Sequence, residues 1–176
     1  THFRAASTTK TFTAAAVVLL HQRKQLNINH YITDTIPGTS ITYVPNTAEF
    51  DIPFKNNITI KQLLQHRSGM FDIINQDIPS DLNQPYAGMR YADYVKDVLG
   101  EPNHTFTIDE MSAVVADNQL YNNLPDEEFH YSNTGMTLLT LIVERVTNIK
   151  YEDFLKDNLL IPNGLNDTYF PWQGND

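Results

Sequence analysis

Apolar side chains at helical spacing constrain the fold of this chain more than any other feature. The spacing predicts helices over residues 7–26, 60–65, 86–99, 108–119, 134–146 and 151–158. Residues 26–54 are rich in Asn, Thr, Pro and Ile, so we expect an irregular connector that contributes no core element. One short strand is expected at residues 168–170. The pattern is that of a mostly helical chain.

Composition and charge narrow the classes of function. The net charge of −9 comes from 21 acidic and 12 scattered basic residues, which argues against a nucleic-acid partner. No apolar stretch reaches the roughly 18 to 20 residues that a membrane-spanning helix requires. The chain has no cysteine and no His-Glu-x-x-His pattern, so we expect neither a metal site nor another cofactor. It also opens without a charged and then apolar leader, so no signal peptide is expected in it.

The first candidate for chemistry is Ser7-Thr8-Thr9-Lys10, a Ser-x-x-Lys at the start of a predicted helix. Three residues of α-helix rotate by about 300° and rise by roughly 4.5 Å, which brings both side chains to one face. A serine hydroxyl is a weak nucleophile until a neighbouring base accepts its proton, and a suitably placed lysine can assist. The same pattern also fits a capping serine followed by a solvated lysine.

The second candidate is Tyr131-Ser132-Asn133, between a Pro-containing turn and a predicted helix. A phenol close to a lysine ammonium has a lowered pKa and can serve as a base or proton relay. An asparagine beside it offers one donor and one acceptor group. The other interpretation is structural, with Tyr131 as a buried anchor and Asn133 as the N-cap of the helix.

A third feature lies at residues 63–70, where a helix end is followed by a Ser-Gly turn. Here His66 is interpreted as a hydrogen-bonded scaffold residue rather than a catalyst, with Ser68 and Gly69 as structural neighbours. Ser68 does not lie in a Gly-x-Ser-x-Gly elbow between a strand and a helix. The α/β-hydrolase interpretation is therefore excluded.

Taken in order, these three segments resemble the serine β-lactamase-related family, which includes class C β-lactamases, D-alanyl-D-alanine carboxypeptidases, penicillin-binding-protein-like proteins and esterases. Residues 3–13 resemble its nucleophile helix, residues 58–70 its Leu-Leu-x-His-Thr-Ser-Gly landmark, and residues 129–141 its Tyr-x-Asn loop and following helix. Position 67 departs from the landmark, since the chain has Arg67 where the family has Thr.

The resemblance implies a role for each matched residue. Ser7 would be the nucleophile and Lys10 would assist its deprotonation. Tyr131 would be the general base for acylation or deacylation, and Asn133 would contact the amide or carbonyl group of the substrate. The implied reaction is acyl transfer from a peptide-like amide, a β-lactam or an ester to Ser7, followed by hydrolysis. The implied partner is a small molecule or peptide, and the implied location is the periplasm or the exterior of a bacterium.

One departure from the family pattern shapes the predicted fold. The family carries a Lys-Thr-Gly or His-x-Gly strand after Tyr-x-Asn that supplies one oxyanion-hole donor, and nothing after Asn133 fits it. We therefore expect an α+β protein in which residues 1–176 form a partial domain, from the nucleophile helix through the Tyr-x-Asn loop. Most of the antiparallel sheet would be absent from this chain, which would leave a surface for self-association. The alternative is a catalytically inactive binding or scaffold module, or an inactive fragment.

Overall fold

The computed structural model describes residues 4–169, and regular structure in this span is helical. Pairing between extended segments in the same span consists of isolated bridges such as Tyr31 with Thr59 and Met70 with Tyr121. The prediction of a helical domain with little sheet is confirmed. The helices are α1 (Thr9–Gln22), α2 (Ile60–Leu64), α3 (Tyr91–Asp93), α4 (Ile108–Asp117), α5 (Asn133–Thr147) and α6 (Tyr151–Leu155).

Helices α1 and α5 pack against each other and position the candidate site. Helix α1 buries Ala16, Val17 and Leu20, which recur at helical spacing on one face. Helix α5 buries an apolar face that includes Leu139 and Ile142. Because these faces are removed from water against one another, the N-terminal ends of α1 and α5 are fixed relative to each other.

Local capping explains where several helices begin. Thr59 forms a capping box with Gln62 at the start of α2, and Thr107 accepts a hydrogen bond from the backbone N–H of Glu110 at the start of α4. Ser132 caps α5 by accepting from the backbone N–H of Gly135 at 3.0 Å. Asn133 is therefore the first residue of α5, and the interpretation of Asn133 as its N-cap is wrong.

The expectation for residues 26–54 is wrong in one respect. The backbone there is irregular apart from the 3₁₀ turn Ala48–Phe50, as expected, but the segment contributes to the core. Its buried side chains include Ile32, Tyr43 and Val44, each fully shielded from solvent. An irregular backbone can fill a core where its polar groups are paired, as when Val44 donates its N–H to the carbonyl of Ile32.

Three predicted elements differ in extent. Residues 86–90 form a turn that pairs with Ile78: the N–H of Gly88 donates to the carbonyl of Ile78, and the N–H of Ile78 donates to the carbonyl of Met89. The helix predicted for residues 86–99 therefore begins only at α3 and continues as the π-helix Tyr94–Val98. Helix α1 ends before residue 26, because Lys24 adopts a left-handed conformation with φ of 61°. Residues 168 and 169 of the predicted strand are irregular, and residue 170 lies outside the described residues.

Candidate active site

Ser7 lies in the 3₁₀ turn Ala6–Thr8, which leads directly into α1. Its side chain is exposed. The residue before it, Ala6, has a φ of 46°, a left-handed conformation that costs an L-residue roughly 1–2 kcal/mol. The Ser7 hydroxyl oxygen lies 2.9 Å from the phenol oxygen of Tyr131, across 124 positions of sequence. Ser7 is therefore not merely a helix cap.

Lys10 links Ser7 to the start of α5. Its ammonium donates to Ser7 Oγ at 3.3 Å and to Asn133 Oδ1 at 2.6 Å. The same ammonium lies 5.0 Å from the centre of the Tyr131 ring. The structure thus brings together four of the residues singled out from the sequence, with Lys10 in contact with the other three.

The titration of Tyr131 follows from these contacts. Burial raises the pKa of the phenol, but hydrogen bonding with Lys10 and Ser7, together with the Lys10 charge, outweighs that effect. The pKa of Tyr131 is therefore lower than its ordinary value. More of the phenol is ionised at a given pH, which is what a base for the Ser7 proton requires.

His66 supports the loop that carries Tyr131. The imidazole stacks on the Tyr131 ring with centroids 4.6 Å apart, and its Nδ1 accepts the backbone N–H of Ser132 at 3.2 Å. Burial first, and then the Lys10 charge, lowers the pKa of His66, and Asp72 opposes this weakly. A neutral imidazole is consistent with an accepting Nδ1, and the geometry is that of a scaffold residue.

Gly69 holds two neighbouring loop segments together, and Ser68 is buried beside it in sequence. Gly69 has a φ of 69°, and a Cβ added there would lie 1.9 Å from the carbonyl oxygen of Asn123. The carbonyl of Gly69 in turn accepts the N–H of Asn122 at 2.9 Å. Ser68 is buried, and its hydroxyl accepts the N–H of Met70 at 3.4 Å. Only glycine allows this close approach of the two backbones.

Arg67, the departure from the family landmark, also has a visible contact. Its guanidinium contacts Asp126 in two ways, through a salt bridge of 2.8 Å to the carboxylate and a hydrogen bond to the backbone carbonyl. The backbone N–H of Asp126 returns a hydrogen bond to the carbonyl of Arg67 at 2.7 Å. These contacts attach the loop before Tyr131 to the end of α2.

One charged residue of the site, Asp72, lies outside all three segments singled out from the sequence. Asp72 is 1% exposed, and its carboxylate accepts a hydrogen bond from Asn133 Nδ2 at 2.9 Å. A signal was available, because Asp72 interrupts the apolar run Met70-Phe71-Asp72-Ile73-Ile74. A carboxylate in a run destined for the core has to be paired or hydrogen-bonded, so its partners mark the residues that surround it.

Other features of the described residues do not compete with this site. A surface cavity of about 500 Å³, lined by residues 46–48, residues 51–57 and Gln119, contains no serine or histidine. Among residues 4–169, no cluster of His, Asp or Glu could hold a metal ion. No helix in that span is long and apolar enough to cross a membrane.

Comparison with known proteins identifies the family. The chain matches the Beta-lactamase family over residues 1–176 and belongs to it. Protein flp from Staphylococcus aureus (strain MW2) is 30% identical over 171 residues, which are 97% of this chain and 28% of that protein. The chain therefore spans less than a third of the length of this curated relative.

Solved structures agree on the fold. A D-stereospecific amidohydrolase from Streptomyces sp. superposes with a TM-score of 0.72 over 93% of this chain and 42% of that chain, at 23% identity. The D-amino acid amidase from Ochrobactrum anthropi SV3, complexed with L-phenylalanine, gives a TM-score of 0.65 at 26% identity, covering 95% of this chain and 37% of that chain. The described helices therefore belong to a β-lactamase-like fold, shared with proteins described as hydrolases.

Proposed function

We propose that the chain carries the nucleophile of a serine hydrolase, and that Ser7 forms an acyl-enzyme with a peptide-like amide, β-lactam or ester. In this proposal residues 1–176 provide the part of the catalytic domain from the nucleophile helix through the Tyr-x-Asn loop. The observation that carries the proposal is the contact of Ser7 Oγ with the Tyr131 phenol at 2.9 Å and with the Lys10 ammonium at 3.3 Å.

The donors and acceptors favour one direction of proton transfer. An ammonium can only donate, so Ser7 Oγ accepts from Lys10 and can donate its own proton to the oxygen of Tyr131. The lowered pKa of Tyr131 makes the ionised phenol a better-populated acceptor. The Lys10 charge stabilises that phenolate while the serine attacks.

The reaction proceeds in two steps, acylation of Ser7 and hydrolysis of the acyl-enzyme. As Ser7 Oγ bonds to the acyl carbon, its proton passes to Tyr131 and then to the nitrogen or oxygen of the acyl bond that breaks. A linear amide or an ester releases an amine or alcohol, whereas the nitrogen of an opened β-lactam stays attached to the acyl group. Water then adds to the Ser7 ester, gives a proton to Tyr131, and the acid is released as Ser7 regains a proton. Asn133 has a second N–H on its amide nitrogen to offer the substrate carbonyl.

The likeness to a D-amino acid amidase at 26% identity supports an amide among the three substrate classes. Backbone N–H groups at the start of α1 favour the negative charge that develops beside Ser7, whichever class is used.

Covalent labelling of the full-length protein tests the proposal. A fluorescent penicillin and a fluorophosphonate should each leave an adduct on Ser7, located by mass spectrometry. Labelling should be lost in Ser7→Ala and retained in Ser40→Ala, which alters an exposed serine. A folded full-length protein that gives no Ser7 adduct with either reagent would contradict the proposal and favour the inactive binding module.

A further inference from the structure

Two hydrogen bonds, both made by Asn133, connect the buried carboxylate of Asp72 to Lys10. Asn133 lies between them, with Nδ2 donating to Asp72 Oδ2 at 2.9 Å and Oδ1 accepting from Lys10 Nζ at 2.6 Å. Because a carboxylate only accepts and an ammonium only donates, the amide has a single orientation that satisfies both neighbours. We propose that Asp72 is a positioning residue that fixes the Asn133 amide with its oxygen towards Lys10. This inference rests on the proposed function of Ser7.

Asp72 is itself held in place by the turn that follows it. Its Oδ1 accepts the backbone N–H groups of Ile74 and Asn75 at 3.1 and 3.3 Å, and Oδ2 also accepts Nδ2 of Asn75 at 3.1 Å. At 1% exposure, a carboxylate with four hydrogen bonds does not rotate freely. The acceptor facing Asn133 is therefore fixed before any substrate binds.

The backbone register brings this carboxylate opposite the amide. On one side of the hydrogen bond between Asp72 and Asn133, the Ser132 hydroxyl donates to the carbonyl of Phe71 at 3.4 Å. On the other side, the N–H of Ile73 donates to the Thr134 hydroxyl at 3.3 Å. Residues 71–73 thus face residues 132–134, the cap and first two residues of α5. The middle pair, Asp72 with Asn133, is the one that reaches the site.

Loss of the Asp72 carboxylate should act on Ser7 through this chain of contacts. Without an acceptor at that point, the Asn133 amide can rotate and present its NH₂ group to the Lys10 ammonium, and two donors then face each other. Lys10 would move away, and its 3.3 Å contact with Ser7 Oγ would be lost. A misplacement of about 1 Å in a catalytic group can reduce a rate by about 10²-fold.

Exchanging the carboxylate of Asp72 with the amide of Asn133 distinguishes a role in positioning Lys10 from a general role in stabilising the fold. Asp72→Asn keeps an oxygen for the turn but places an NH₂ group against Asn133, and Asn133→Asp places two carboxylates together. Each single variant should label Ser7 about 10²-fold more slowly with a fluorophosphonate, which has no peptide amide for Asn133 to hold. In the double variant, the new carboxylate accepts from both the new amide and Lys10, so labelling should return to within about tenfold of wild type.

The measurement is the second-order rate constant of Ser7 labelling in the full-length protein, with the exposed Asp77→Asn as matched control. Recovery in the double variant supports the inference even if a single variant fails to fold. Wild-type labelling in Asp72→Asn, or a double variant that labels no faster than the single variants or does not fold, would overturn it. Absence of a Ser7 adduct in the wild type would instead count against the proposed function.

Discussion

The inner and outer sides of the candidate site are held by the chain in different ways. On the inner side, Asp72 is 1% exposed, and both the oxygen and the nitrogen of the Asn133 amide are hydrogen-bonded. On the outer side, Ser7 is exposed and follows Ala6, a residue in the left-handed region. A nucleophile has to be reached by its substrate, whereas the groups that orient it can be buried where hydrogen bonds satisfy their polar atoms. Under the proposed function, this difference separates the residues that would position Ser7 from Ser7, which would react.

Lys10 connects the two sides, so its removal should have the largest effect. Lys10→Met removes the donor to Ser7 and Asn133 and the charge that lowers the pKa of Tyr131. We expect Ser7 labelling by a fluorophosphonate to fall by about 10³-fold, within the range for loss of acid–base assistance. Lys61→Met, at an exposed lysine of α2, should leave the rate unchanged. An equal effect of the two substitutions would refute the connecting role of Lys10.

The close approach of the backbone at Gly69 to Asn123 should contribute to the free energy of unfolding. A Cβ at Gly69 would lie 1.9 Å from the carbonyl oxygen of Asn123, whereas one at Gly38 would meet nothing within 4 Å. Both glycines have positive φ, so Gly38→Ala measures the conformational cost alone, about 1–2 kcal/mol. Gly69→Ala should lower the free energy of unfolding by about a further 1–3 kcal/mol in urea denaturation. Equal losses would mean that the two backbones can separate easily.

The smallest effect is expected on the outer loop before Tyr131. Arg67 and Asp126 are 35% and 66% exposed, so their 2.8 Å salt bridge is well screened by solvent. Arg67→Ala should lower the free energy of unfolding by at most about 1 kcal/mol. Arg90→Ala, which removes an exposed pair three residues apart in sequence, is the matched control. A loss of several kcal/mol confined to Arg67→Ala would show that this loop belongs to the rigid side of the molecule.

Local sequence signals predicted the helices best where periodicity and capping agree. Helix α4 begins after Thr107, at the predicted residue 108. The apolar face of α5 predicted its span to within one residue at each end, although its cap is Ser132 and not Asn133. Residues 86–90 were missed as a turn because their backbone pairs with Ile78, a tertiary contact that helical spacing does not contain. The buried role of residues 26–54 was missed for the same reason, since these side chains pack without a regular period.

The site shows a similar division. The proximity of Ser7 and Lys10 follows from helical spacing, but their meeting with Tyr131 across 124 positions was expected only from the family resemblance. Asp72 matched none of the motifs, because its contribution depends on the register between its segment and the start of α5. Spacing rules describe one helix at a time and contain no information about such a register.

The dependence of Ser7 labelling on pH tests most directly whether Tyr131 receives the serine proton. Because the pKa of the phenol is lowered, its basic form accumulates at a lower pH than in an ordinary tyrosine. In the full-length protein, the rate of Ser7 labelling by a fluorophosphonate should rise with pH and level off above the pKa of Tyr131. The control variant Tyr31→Phe should behave like wild type. Tyr131→Phe should be slow and lack this rise. A Tyr131→Phe variant with the wild-type rate and pH profile would contradict the account.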